Sequence, residues 1–245
     1  LAILFAFIAL WFIPESIQFL CSKKPPLALE KINGILIKLA RSPLKELPII
    51  DPDTQSTTAD TQNVLEKMMS LLTPKFRSAT LRLWLTVFLC ICSLYFLMSW
   101  IPKLIINLDY QEAIANLAFT LFNLGGVLGI FCLGYLASLW RLSNLIAVFT
   151  IIASTLMCLF AIAVSSASGQ TTLMILIFII GFTLSGGYTG LYAVAAKIYP
   201  IAIRSTGVGW AIGLGRSGAV IGPAIAGYMI AAGFSVTANF ITFAV

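Results

Sequence analysis

Histidine is absent from all 245 residues. That removes imidazole metal ligands, histidine-dependent nucleophile triads and histidine proton relays from this chain. Charge is scarce too. Asp, Glu, Lys and Arg make up 10% of the sequence, and no acid falls inside any of its long apolar runs. The five cysteines are an odd number; Cys90, Cys92, Cys132 and Cys158 lie in apolar runs and Cys21 in the polar part. This usage argues against a disulfide framework. Cys90 and Cys92 are two residues apart and cannot share one helix face as a ligand pair. These absences leave no enzyme chemistry in view and call for no cofactor or metal.

What is present fixes the class. The chain is 60% hydrophobic with a mean hydropathy of +1.00, which no soluble domain of this length would tolerate. Five complete spans can be read, at Leu83–Ile101, Ala113–Leu139, Asn144–Val164, Thr171–Ala196 and Gly207–Ala232. Apolar pieces at the ends, Leu1–Ile13 and Val236–Val245, are too short to cross a bilayer. We expect an all-α membrane protein, and an internal slice of a longer one with a span cut at each end. A signal-peptide core at Leu1–Ile13 is the alternative, but it lacks a basic leader and a small-x-small cleavage site.

Of fifteen Lys and Arg, ten fall between Lys23 and Arg82, and Arg141, Lys197 and Arg204 mark two further loops on the same side. By the positive-inside bias the long loop is expected in the cytoplasm. The net charge of +6 follows from this asymmetry and needs no nucleic-acid partner. Within the polar stretch, 27–40 has helical spacing of Leu29, Ile32, Leu36 and Leu39; 51–63 reads as a polar linker; 64–72 reads as a second short helix. A solvated connector between two bundle halves is the plainer reading of this loop, and a regulatory role the sharper one.

One residue breaks the pattern of the spans. Arg216 is the lone charge in Gly207–Ala232. That run is roughly 39 Å long as a helix, and the arginine lies roughly 15 Å in from its start. A cation at such depth costs about 2.5–3.5 kcal/mol and normally faces a protein interior or a watered cavity. It is either an anion-binding residue or a structural arginine bonded to carbonyls or a neighbouring helix.

Polar stripes accompany it. Asn116, Thr120 and Asn123 share one helix face; Ser185, Tyr188 and Tyr192 share another; Cys92, Tyr95 and Ser99 form a weaker third. Gly209, Gly213, Arg216 and Val220 share the arginine face. Small and polar residues also join membrane helices, as in the pairs Gly209/Gly213 and Gly218/Gly222, so packing is the plainer reading of any stripe taken alone. Asn144–Val164 has no stripe. The pattern suggests four helices around a polar cavity and one outside it.

The run Leu191–Gly222 (LYAVAAKIYPIAIRSTGVGWAIGLGRSGAVIG) closely resembles the tenth-to-eleventh helix region of the aromatic acid/proton symporters of the major facilitator superfamily. Tyr95–Pro102, Asn123–Gly134 and Pro14-Glu15-Ser16 extend the resemblance. It implies the C-terminal half of a twelve-helix transporter: residues 1–13 ending helix six, 14–80 the cytoplasmic interdomain loop, and 81–245 holding helices seven to eleven and the start of twelve. Helices seven, eight, ten and eleven would line the cavity and helix nine would be peripheral.

The implied function is proton symport of a small, aromatic organic carboxylate across a bacterial inner membrane. Its partners would be the lipid bilayer and the missing N-terminal half. Arg216 would hold the carboxylate; Asn123, Ser185, Tyr188 and Tyr192 would shape the pocket, with Trp210 a further candidate beside the ring. Lys197, Arg204 and Arg141 would anchor the cytoplasmic loops. Two departures stand out. Ser138 occupies the place where the family usually has an acid in the loop between helices eight and nine, and no span carries a titratable acid for the proton. The alternatives are a carrier of sugar-like or cationic solutes with Arg216 structural, and a nontransporting sensor on the same fold.

Overall fold

The computed structural model describes residues 20–21, 26–38, 41–44, 64–166 and 169–244. The expected cut span Leu1–Ile13, the Pro14-Glu15-Ser16 motif and the polar linker at 51–63 lie outside the described residues. The chain divides into two compact units, 1–62 and 63–245.

In the first unit, α1 covers Ala28–Lys38, inside the stretch expected to be helical. Leu20, Cys21 and Ile32 are buried together, with Ile35 and Leu36 packed against them. Asn33 ties the segment after the helix: its Nδ2 donates to Leu44 O at 3.0 Å and its Oδ1 accepts from Leu44 N at 2.8 Å.

The second unit is a helical bundle. A short α2, Val64–Leu71, precedes five long helices: α3 Arg77–Asn107, α4 Glu112–Leu136, α5 Leu142–Ser165, α6 Gln170–Ile198 and α7 Ile201–Ala231. α8, Val236–Ala244, follows. Among the described residues four helices, α3 to α6, are long and apolar enough to cross a membrane. The fifth expected span, α7, has the length, 31 residues. Seven glycines, two arginines and a proline hold its hydropathy lower. Together with its relatives described below, these helices make the protein a multi-pass membrane protein.

Lipid tails are as apolar as leucine, so helices in a bilayer gain little from hydrophobic burial against one another; close van der Waals contact joins them, and small residues permit it. The bundle uses this twice. Between α4 and α6, a Cβ at Gly129 would enter the Phe182 carbonyl, one at Gly125 the Phe178 carbonyl, and one at Gly181 the Phe122 carbonyl. Between α3 and α7, a Cβ at Gly218 would come 2.7 Å from Phe88 O, and one at Gly222 would come 2.9 Å from Cys92 Cα. Each seam is therefore backbone against backbone.

α5 packs outside α6, where the Phe149 and Ile146 side chains fill the space that Cβ atoms of Gly186 and Gly190 would need. Its other face exposes Val148, Ile151, Ile152, Leu159 and Ile162, as a lipid-facing surface requires. α8 closes the end of the bundle through Phe240 and Phe243, whose ring centroids lie 5.0 and 4.3 Å from that of Phe96.

The turn between α6 and α7 is also tied down. Tyr199 is buried, its ring lies over Gly207, and its hydroxyl donates to Thr80 Oγ1 at 3.1 Å. Thr80 Oγ1 in turn donates to Leu71 O at 3.0 Å, so the loop-side helix α2 is joined to α3 and to the start of α7. The stretch 64–80, expected as part of the long loop, thus packs with the bundle.

The seams make one substitution pair informative. Gly129→Ala forces a Cβ into a backbone carbonyl and should destabilise the full-length protein by about 1–3 kcal/mol. Gly134→Ala, on the same helix with open space around it, should be neutral or stabilising by up to about 1 kcal/mol through helix propensity. Thermal unfolding in detergent measures both; equal midpoints would refute the backbone-to-backbone seam.

Candidate functional site

The seams determine which way each helix turns its remaining residues. On α7, Gly207, Ala211, Gly215, Gly218, Gly222 and Ala226 are buried, whereas Gly209, Gly213, Arg216 and Val220 are exposed. The two glycine pairs therefore differ. Gly218 and Gly222 pack against α3, while nothing stands within 4 Å of a Cβ built on Gly209 or Gly213. These two clear space on the arginine face, where a larger group can approach the guanidinium.

Arg216 makes no hydrogen bond or ion pair among the described residues. What its guanidinium does reach, electrostatically, is the phenol of Tyr192 on α6, which also feels Tyr95 on α3. Tyr192 packs edge-on against Tyr188, ring centroids 5.0 Å apart at 70°. Three helices thus bring an arginine and three tyrosines to one place. The arrangement offers a planar cation for an oxyanion, aromatic surface for an apolar ring, and phenol hydroxyls able to donate or accept.

The other expected pocket residues are less central. Ser185 lies against Gly126, where a Cβ would come 2.7 Å from its Oγ, so it belongs partly to the α4–α6 seam. Asn123 is exposed on α4 and its Nδ2 donates to Phe119 O of its own helix at 2.8 Å. Thr120 likewise bonds back to Asn116 O. This stripe faces outward from the seam, but no hydrogen bond among the described residues joins it to the arginine.

Two expectations change. Cys92, placed by spacing on the polar stripe of α3, is buried against Gly218 and Gly222. The thiol is the small, apolar-tolerant member of that stripe and goes into the seam. Trp210 gains a partner that spacing did not show, Trp84 of α3 with ring centroids 6.4 Å apart, and both pack against the same buried cluster as Tyr188. Tyr95, on the weaker stripe and not among the expected pocket residues, is 42% exposed and within electrostatic reach of Tyr192. Only the fold brings its helix beside the arginine.

The three loop cations also separate. Arg141 and Lys197 line one cleft with Leu142, Ser143, Val194 and Ile198. Arg204 does not line it; its Nε donates to Tyr199 O at 3.3 Å and closes the α6–α7 turn.

The profile of the Major Facilitator Superfamily matches residues 83–245. The chain belongs to that superfamily. Its relatives include the gallate transporter of Pseudomonas putida, 31% identical over 91% of this chain and 47% of that protein. The 4-hydroxybenzoate transporter of Pseudomonas aeruginosa is 30% identical over 96% of this chain and 50% of that protein. A 3-(3-hydroxy-phenyl)propionate transporter of Escherichia coli is 34% identical over 68% of this chain and 40% of that protein. The chain spans about half the length of these relatives or less, and within the superfamily it groups with the aromatic acid transporters.

A face that opens on water and a face that opens on lipid differ in chemistry. With Cys21, Cys90, Cys92, Cys132 and Cys158 replaced by serine, Gly213→Cys in the full-length protein should react readily with a charged, membrane-impermeant thiol reagent. Ile151→Cys, on the outer face of α5, should react at least tenfold more slowly. Equal unreactivity would show that the arginine face is not watered.

Proposed function

We propose that this chain is the C-terminal half of a secondary transporter that carries a small aromatic carboxylate by proton symport with alternating access. In this reading residues 1–13 end helix six, 14–80 form the cytoplasmic loop and 81–245 form the C-terminal bundle of a bacterial inner-membrane protein. The observation that carries it is Arg216: without a hydrogen bond or ion pair among the described residues, on the open face of α7, and within electrostatic reach of Tyr192, which packs edge-on against Tyr188. A guanidinium pairs bidentately with a carboxylate, and the edge-on tyrosines offer a surface for the ring of the acid. The relatives named for gallate, 4-hydroxybenzoate and phenylpropionate transport support the same substrate class.

Asn123 and Ser185 would shape the rest of the pocket, Asn123 with an amide oxygen still free to accept a hydroxyl. Binding between two halves near the midplane is the general design of such carriers. Residues 113–245 contain four cations and no Asp or Glu. A carboxylate-type proton carrier would therefore have to lie elsewhere in the full protein.

The test is uptake of labelled 4-hydroxybenzoate into vesicles containing the full-length protein, with and without an inward proton gradient. Gradient-dependent accumulation is expected. Arg216→Ala should lower affinity by about ten- to a hundredfold, the worth of a charge-assisted hydrogen bond of roughly 1.5–3 kcal/mol. Arg216→Lys should retain part of the affinity, since it keeps the charge and loses the fork. Unchanged uptake by a correctly inserted Arg216→Ala protein would refute the anion site, and gradient-independent uptake would refute symport.

A further inference from the structure

Outside the arginine site, an open cleft with two cations in its lining lies at the end of the bundle where α5 begins and α6 finishes. It has a volume of about 360 Å³ and is lined by Arg141, Leu142, Ser143, Val194, Lys197 and Ile198. Two cations from two helices open on one space. Neither has an ion-pair partner among the described residues, and no acid occurs anywhere in residues 113–245 to supply one from this part of the bundle. Ser138, in the loop just before, turns its hydroxyl back to Tyr135 O at 2.7 Å. No side chain caps α5, so the first-turn N–H groups beside Arg141 add to the positive potential.

The setting of the cleft narrows the anion. Tyr135, Leu139 and Trp140 next to it are 70%, 62% and 67% exposed. Exposed Trp and Tyr at the end of a membrane helix mark the headgroup level of a bilayer, where their rings are half apolar and half wet. Leu142, Val194 and Ile198 give the cleft an apolar wall beside the charges. A basic pocket between helices at headgroup depth suits the phosphate of an anionic lipid.

We propose that this cleft binds the headgroup of an anionic phospholipid, with Arg141 and Lys197 on the phosphate and Ser143 donating a further hydrogen bond. The site goes beyond the transport reading and does not depend on it. The single negative charge of the bound phosphodiester is shared between two cations that have no ion-pair partner among the described residues, and the lipid ties the α4–α5 loop to the end of α6.

The experiment reconstitutes the full-length protein in nanodiscs of phosphatidylcholine alone or with phosphatidylglycerol, and counts retained lipids by native mass spectrometry. Phosphatidylglycerol should be retained several-fold over phosphatidylcholine in the wild type. Arg141→Gln/Lys197→Gln should bring the ratio near one, whereas Lys103→Gln, at the other end of α3 over the Trp100 ring, should leave it unchanged. If the double variant fails to insert, Ser143→Glu supplies the second test. It keeps both cations, places a carboxylate in the cleft, and should likewise abolish the preference. An undiminished preference in whichever of these variants inserts would overturn the proposal. So would loss of the preference on adding millimolar inorganic phosphate in wild type, because the cleft would then be a site for the free anion.

Discussion

Everything in the bundle follows from how its helices are rotated about their own axes, and backbone contact at glycine sets that rotation. A membrane helix has no dry side to seek, since lipid and protein interior are alike to an apolar side chain. Gly125 and Gly129 against α6, and Gly218 and Gly222 against α3, supply the missing preference. At each of them a methyl group would collide with main chain, which cannot move aside as a side chain can. Once those residues face the seam, the 3.6-residue period sends Arg216 and Val220, and on α4 Asn116, Thr120 and Asn123, to exposed positions.

The same period explains why two small-residue pairs on one helix have opposite uses. Gly209 and Gly213 carry the same spacing as Gly218 and Gly222, yet one pair clears space and the other closes it. Spacing alone cannot tell these apart, because the distinction lies in what stands opposite. Phe88 and Cys92 stand opposite the second pair. For the same reason the sequence shows Cys92, Tyr95 and Ser99 as one stripe, while the fold sends the thiol into the seam and leaves the phenol exposed.

Much of the architecture was legible beforehand. Unbroken apolar runs announce their helices, and Arg216 is conspicuous because nothing else in its span is charged. The peripheral place of α5 was legible in its lack of a polar stripe, and it packs on α6 with an apolar outer face. The grouping of side chains from different helices was not legible. Tyr95 and Arg216 are 121 residues apart, and only the α3–α7 seam makes them neighbours of Tyr192. Charge and loop position group Arg204 with Arg141 and Lys197; the fold gives it a backbone carbonyl to hold, whereas the other two have none among the described residues.

The distribution of sign then constrains what the open face can bind. Taking a guanidinium out of bulk water is costly, and proteins usually offset this with an acid or a set of carbonyls. Neither is at hand for Arg216 among the described residues, where it is exposed and, on the proposed reading, held by water until an anion arrives. On the proposed reading, a carboxylate exchanges that water for two charge-assisted bonds, and its ring meets tyrosine faces already in contact with each other. A neutral solute would gain the aromatic contact but still have to displace water from the cation without replacing its hydrogen bonds in kind. On the same reading, selection for acids over neutral aromatics of the same shape would follow from the arginine itself.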